Sequence, residues 1–337
     1  MMVKNSALLL GLTLVWVGMA EQVSAQVELN QGDRVVFLGD SITQAGARPG
    51  GYVSLFRQAV DDQFGEGEIE VIGAGISGHK VPDCQKRLDR DVISKKPTHV
   101  VIYIGINDVW HSTSNRGTST EDFKSGLEDM IARIQAAGSK VMLCTASVIG
   151  EKTDGSNSLD KMLDDYCSIS RDVAKATEIP MIDLRNQFLA YLKKENKENR
   201  QNKVLTTDGV HLNANGNRFV CKCMMEAMGV KVIKDPKRLL RHVVMFKFKS
   251  TASKEDIATA VKTFKALPSK IEAIHDFEAG TDVSIESKSK GFTHCFLVTF
   301  RNEADRAIYL PHPEHQKFVK VVGPIADDVI VVDYWTK

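Results

Sequence analysis

The chain has almost no net charge: 44 Lys and Arg stand against 43 Asp and Glu, leaving +1. So balanced a surface gives no field to gather a polyanion, which argues against nucleic acid or anionic membrane as a partner. Cysteine is scarce, six in 337 residues, too few for a disulfide scaffold in a domain of this size. Cys221 and Cys223 are two apart in a helical stretch and point away from each other. Cys144 lies in an apolar strand pattern, and Cys84, Cys167 and Cys295 suggest no partner, so no bridge is assigned. His79, His99 and His111 have no consistent metal spacing, so neither metal nor cofactor is expected. There is no internal repeat, and the one low-complexity stretch, 193–203, reads as a solvated helix end or loop. Past the first 25 residues no segment is apolar for long enough to span a bilayer.

What is present begins with those first residues. Lys4 supplies a positive charge, Ala7 to Ala20 an apolar run, and Val23-Ser24-Ala25 small residues at a cleavage point. This is the pattern of a signal peptide over residues 1–25, with an uncleaved anchor as the alternative. It implies a secreted or periplasmic protein with no integral membrane segment after processing.

The length favours two domains. From Arg34 to about residue 230, short apolar strands alternate with helices of ten residues or more. The strands are 34–38, 69–72, 98–104, 140–146 and 180–183. The helices are 52–63, 81–94, 120–137, 159–177 and 215–228. That alternation predicts a parallel sheet covered on both faces, with ligands beyond the carboxyl ends of its strands. Residues 231–239 are basic, contain Pro236 and read as a linker whose charges, Lys231, Lys234, Lys237 and Arg238 with Arg241 beyond, form a solvated face. Residues 240–337 then follow a β-α-β-β-α-β order, the ferredoxin-like α+β arrangement. Its strands fall at 242–249, 273–283, 292–300 and 329–334. One helix is expected at 254–267 and a second at 303–321, broken at Pro311-His312-Pro313.

Four short segments carry chemistry. Gly39-Asp40-Ser41-Ile42 follows the first strand, Gly73-Ala74-Gly75-Ile76-Ser77-Gly78 the second, and Gly105-Ile106-Asn107-Asp108 the third. Asp208-Gly209-Val210-His211-Leu212 precedes the last helix of the first domain. Three follow parallel strands and therefore meet at one edge of the sheet. A serine hydroxyl needs a base within hydrogen-bond reach to act as a nucleophile. His211 fills that role, and Asp208, one turn away, orients its imidazole. The backbone N–H groups of Ser41 and Gly75 and the amide of Asn107 are candidate donors to a tetrahedral oxyanion.

With these blocks the chain resembles the SGNH (GDSL-type) hydrolases, whose motifs centre on Ser in G-D-S, a Gly, Asn in G-x-N-D and His in D-x-x-H. The matching positions are Ser41, Gly75, Asn107 and Asp208 with His211, over roughly residues 30 to 230. The resemblance implies a flavodoxin-like three-layer α/β/α sandwich in residues 26–230 and metal-free hydrolysis of carboxylic esters. The tail, from Arg241-His242-Val243-Val244 to His312-Pro313-Glu314-His315, resembles the stress-responsive A/B-barrel domains. That second resemblance implies pairing into a homodimer.

Other readings are weaker. Gly73 to Gly78 is a literal G-x-G-x-x-G, but it follows the second strand, where a dinucleotide site wants it after the first. Asp40 and Asp108 read as turn residues that bind loop backbone rather than as catalytic acids. Trp110 is a pocket wall or a core residue. His312 and His315 suit a turn or interface better than a ligand site. The expected activity is an exported serine esterase acting on a small-molecule or carbohydrate ester, with O-acetyl groups favoured. The alternatives are a lysophospholipase or thioesterase of the same family, or an idle binding or assembly protein.

Overall fold

The computed structural model describes residues 27–231 and 238–336; the expected signal peptide lies outside them. The first unit runs β1 (Arg34–Gly39), α1 (Ser41–Gly46), α2 (Tyr52–Phe64), β2 (Glu70–Gly75), α3 (Val81–Asp91), β3 (His99–Tyr103) and α4 (Ile106–Trp110). It continues through α5 (Thr120–Ala136), β4 (Lys140–Cys144), α6 (Asp160–Ala176), β5 (Met181–Ile182), α7 (Leu184–Glu195) and α8 (Ala214–Ala227). The strands pair in parallel in the order β2-β1-β3-β4-β5, the doubly wound flavodoxin-like order.

Composition explains that order. Central strands carry apolar side chains on both faces, as Val35 to Leu38 and Val100 to Tyr103 do, and all of these are buried. The edge strand β2 is only partly covered. Helices supply the outer layers through apolar stripes such as Phe123, Leu127, Met130, Ile131 and Ile134 on α5. Helix α3 stops at Asp91, short of the expected Ser94. Val92 leaves helical geometry, and a separate 3-10 turn follows at Ile93–Lys95.

The second unit is β6 (Leu240–Phe248), α9 (Lys254–Lys265), β7 (Asp276–Thr281), β8 (His294–Phe300), α10 (Glu303–Tyr309), α11 (Pro313–Val322) and β9 (Ala326–Trp335). Its antiparallel sheet has the order β7-β8-β6-β9. The expected β-α-β-β-α-β pattern holds, with the second helix split at residues 310–312. Phe264 stacks against Phe296 and Phe318 at centroid distances of 4.5 and 4.2 Å, fixing α9 and α11 to one face. The register sets Val243, Met245, Leu297, Ile330 and Val332 on the other face, where none is buried.

The two units touch. Ala304 on α10 is fully buried among the core residues of the first unit. Arg218 on α8 lies 3.4 Å from the carboxylate of Asp305, and Gln58 donates to the Arg301 carbonyl at 2.8 Å. The basic residues here are not simply solvated. Arg238 lies 5.6 Å over the Trp335 ring, and Arg241 donates to Thr299 Oγ1 at 2.6 Å. Lys234 and Lys237 lie outside the described residues.

Candidate active site

The first three motif segments end neighbouring parallel strands and so converge at the carboxyl edge. Ser41 is the first residue of α1. Its N-cap Asp40 accepts the Ile42 N–H at 2.8 Å, while the Ser41 N–H, at the first helical position, has no intrahelical acceptor. Gly75 at the end of β2 lies hard against this turn. A Cβ there would sit 2.1 Å from the Gln44 nitrogen and 2.7 Å from the Asp40 carbonyl oxygen. Glycine at 75 is thus a requirement of close approach.

The fourth segment crosses over the same edge. Ser41 Oγ lies 3.0 Å from His211 Nε2, and His211 Nδ1 lies 2.7 Å from Asp208 Oδ2. A carboxylate only accepts, so Nδ1 carries the proton and Nε2 is left as acceptor for the Ser41 hydroxyl. Asp208 Oδ1 also accepts the backbone N–H groups of Val210 and His211. Burial pushes its carboxyl up, but the hydrogen bonds from the His211 ring and backbone and from Val210 outweigh this and hold it below the ordinary range. Trp110 stands edge-on to His211 with centroids 6.0 Å apart, so it borders the site while packing on the core.

Asn107, in α4 after β3, is buried and gives one amide N–H to the His79 carbonyl at 3.0 Å. Its amide carries a second N–H, which makes it a candidate donor to an oxyanion. Asp40 and Asp108 behave as backbone ligands. The Asp108 carboxylate accepts the Val81 N–H that opens α3, at 3.1 Å. Burial raises Asp40 to about 7, reinforced by the charge of Asp108, and raises Asp108 to about 6.

Two residues escaped the sequence reading. Arg87 is buried beneath the site, donating to the carbonyls of Gly39 and Ala74 and to His79 Nδ1, so it ties β1, β2 and the 76–80 loop together. An arginine on the apolar stripe Val81, Cys84, Leu88 was the available signal. Glu151 is fully buried beside the His211 loop, and no local pattern marks it. His99 is a core residue, while His111 lies beside Trp110 on the rim. In the second unit His312 caps α11, and His315 Nδ1 donates to the Leu310 carbonyl. All six cysteines are free thiols, five of them buried. Among the described residues no cluster of three or more His, Cys, Asp or Glu is placed to hold a metal ion, and no helix is long and apolar enough to cross a membrane. A cavity of about 470 Å³ at the junction of the units, lined by Arg57, Asp61, Glu303 and Trp335 among others, includes none of the residues around Ser41.

Hydroxyl, imidazole and carboxylate in series at the carboxyl edge of a doubly wound sheet form a layout suited to acyl transfer. The chain belongs to the GDSL-like lipase/acylhydrolase family, whose profile matches residues 37–219, and carries a stress responsive A/B barrel domain matched at residues 240–336. It is 27% identical over 228 residues to an acetylxylan esterase of Geobacillus stearothermophilus, covering 62% of this chain and 99% of that one. The crystal structure of the acetyl xylan esterase AlAXEase superposes with a TM-score of 0.57 at 45% identity, covering 58% of this chain and 98% of that one. The second unit is 35% identical over 102 residues to the stress-response A/B barrel domain-containing protein HS1 of Arabidopsis thaliana, covering 30% of this chain and 94% of that protein. The protein is an ester-bond hydrolase.

Proposed function

We propose that the protein is an exported serine esterase that removes O-acetyl groups from carbohydrates, with Ser41 as nucleophile, His211 as base and Asp208 as its orienting acid. The observation that carries this reading is the unbroken series Ser41 Oγ, His211 Nε2, His211 Nδ1 and Asp208 Oδ2, at 3.0 and 2.7 Å. As Ser41 Oγ bonds to the ester carbonyl carbon, its proton passes to Nε2. The resulting imidazolium is stabilised by Asp208. The tetrahedral oxyanion takes the N–H groups of Ser41 and Gly75 and the free amide N–H of Asn107. Collapse expels the alcohol, which leaves with the proton from Nε2. Water, deprotonated by the same nitrogen, then releases the acid from the acyl-serine.

The carbohydrate preference rests on the acetylxylan esterases among its relatives and on the half-exposed setting of His211. Acetate release from acetylated xylo-oligosaccharides, set beside hydrolysis of p-nitrophenyl esters of increasing chain length, tests it. Acetylated oligosaccharides and the acetyl ester should be turned over best. Preference for acyl chains of eight or more carbons, or for thioesters, would replace this substrate class with a lipid or thioester one.

Export rests on the sequence of residues 1–25 and predicts a mature protein beginning at Gln26. The division into a catalytic unit at residues 26–230, a linker at 231–239 and a pairing unit at 240–337 belongs to the same reading. The open apolar face around Val243, Met245, Ile330 and Val332 supports pairing with a second copy, since burying it stabilises a dimer by about 25 cal/mol per Å².

A further inference from the structure

We propose that Glu151 is a positioning residue that sets Asp208 and His211 against Ser41; this rests on the triad reading above. Glu151 is a fully buried carboxylate in the loop between β4 and α6. A carboxyl buried there without partners would cost several kcal/mol, and here donors surround both of its oxygens. Its Oε2 accepts the Val204 N–H at 2.8 Å. Its Oε1 accepts the N–H groups of Leu205 and Thr206 at 2.7 and 2.6 Å and the Thr206 hydroxyl at 2.9 Å. Three successive backbone N–H groups thus converge on one anion, a geometry that a neutral side chain does not satisfy.

What those groups belong to gives the contact its function. Residues 204–206 open the loop that carries the acid and the base. Thr206 pairs with Leu212 in an isolated antiparallel bridge, the Thr207 N–H donates to the His211 carbonyl, and the Asn213 N–H donates to the Leu205 carbonyl. The loop is therefore a closed hairpin with Asp208 near its tip and His211 on its return. Glu151 grips the outgoing arm. The adjacent Gly150 N–H donates to the Gly209 carbonyl at 2.8 Å and fixes the tip. Gly150 has φ +95°, and a Cβ on it would strike Asn157 and Gln201, so this second grip depends on glycine. The Thr206 hydroxyl passes the constraint on, since its oxygen accepts the Gly209 N–H at 3.0 Å.

The test uses the full-length enzyme and three variants. Glu151→Gln keeps the shape but removes the charge and turns one acceptor into a donor facing N–H groups. Glu151→Asp keeps the charge on a shorter stem. Thr206→Val removes the hydroxyl relay and serves if Glu151→Gln fails to fold. Glu151→Gln should lower kcat on a soluble acetyl ester roughly 10- to 100-fold with KM changed less than about twofold, the signature of a catalytic group displaced by about an ångström. The acid limb of kcat/KM should move to lower pH as His211 loses register with its carboxylate. Glu151→Asp should recover part of the loss, and Thr206→Val should lower kcat in the same sense by a smaller factor. A folded Glu151→Gln or Thr206→Val enzyme with wild-type kcat and pH profile would overturn the proposal. If Ser41→Ala remains inactive in that case, the triad reading stands and only the role of Glu151 falls.

Discussion

Trp110 meets His211 edge to face, its ring forming the wall beside the imidazole that faces Ser41. The contact joins the β3 end of the sheet to the loop that carries His211. Trp110→Ala removes a half-buried aromatic and should destabilise the fold by roughly 2–3 kcal/mol, below the 3–5 typical of a fully buried ring. It should also raise KM for acetylated oligosaccharides several-fold more than for the p-nitrophenyl acetyl ester. Equal effects on both substrates would make Trp110 a core residue only.

Asn107 gives one amide N–H to the His79 carbonyl, and the other is the one proposed for the oxyanion. Asn107→Ala should lower kcat roughly 100- to 1000-fold, about 3–4 kcal/mol, with KM nearly unchanged. A large KM effect at constant kcat would assign Asn107 to substrate binding instead.

Asp40 supplies a pH signature separate from catalysis. Burial raises it from 3.8 to about 7, so the folded protein keeps a proton that the unfolded chain releases. Its contribution to stability is therefore greatest below 3.8, falls as pH rises through about 7, and is level beyond. Asn at this position retains the acceptor for the Ile42 N–H and does not titrate. The Tm of Asp40→Asn relative to wild type should therefore climb between pH 4 and 7 and then flatten. A constant offset across that range would mean that Asp40 is not held protonated.

The junction between the units is also testable. Ala304 is fully buried against the first unit, and its neighbour Asp305 faces Arg218. Ala304→Arg leaves no room for the contact and should split one calorimetric unfolding transition into two. A single transition at the wild-type temperature would show that the units are not thermodynamically coupled there. Val332→Lys, on the open face of the second sheet, should convert a dimer to a monomer by light scattering, and an unchanged mass would remove that face as the pairing surface.

The parallel sheet covered on both faces was legible because its buried strands write continuous apolar runs, as at Val35 to Leu38, and the motifs ending them had to meet at one edge. Short and lysine-rich elements were less legible. Helices α1 and α4 span five or six residues, too few to show a period. Helix α7 carries Leu184, Phe188 and Leu192 at helical spacing, and its final turn runs into the charged stretch that reads as a solvated helix end or loop. The motif residues Ser41, Asn107, Asp208 and His211 were visible because local sequence marks them. Glu151 was not, since its partners lie more than 50 residues away and nothing beside it predicts burial.

The most direct measurement is turnover and covalent labelling of Ser41→Ala beside wild type. A fluorophosphonate probe should label the wild-type enzyme at Ser41 alone, and the Ala variant should keep its circular dichroism spectrum while losing both label and nearly all acetyl-ester hydrolysis. Hydrolysis at the wild-type rate by folded Ser41→Ala protein, or label found on another residue, would contradict the account.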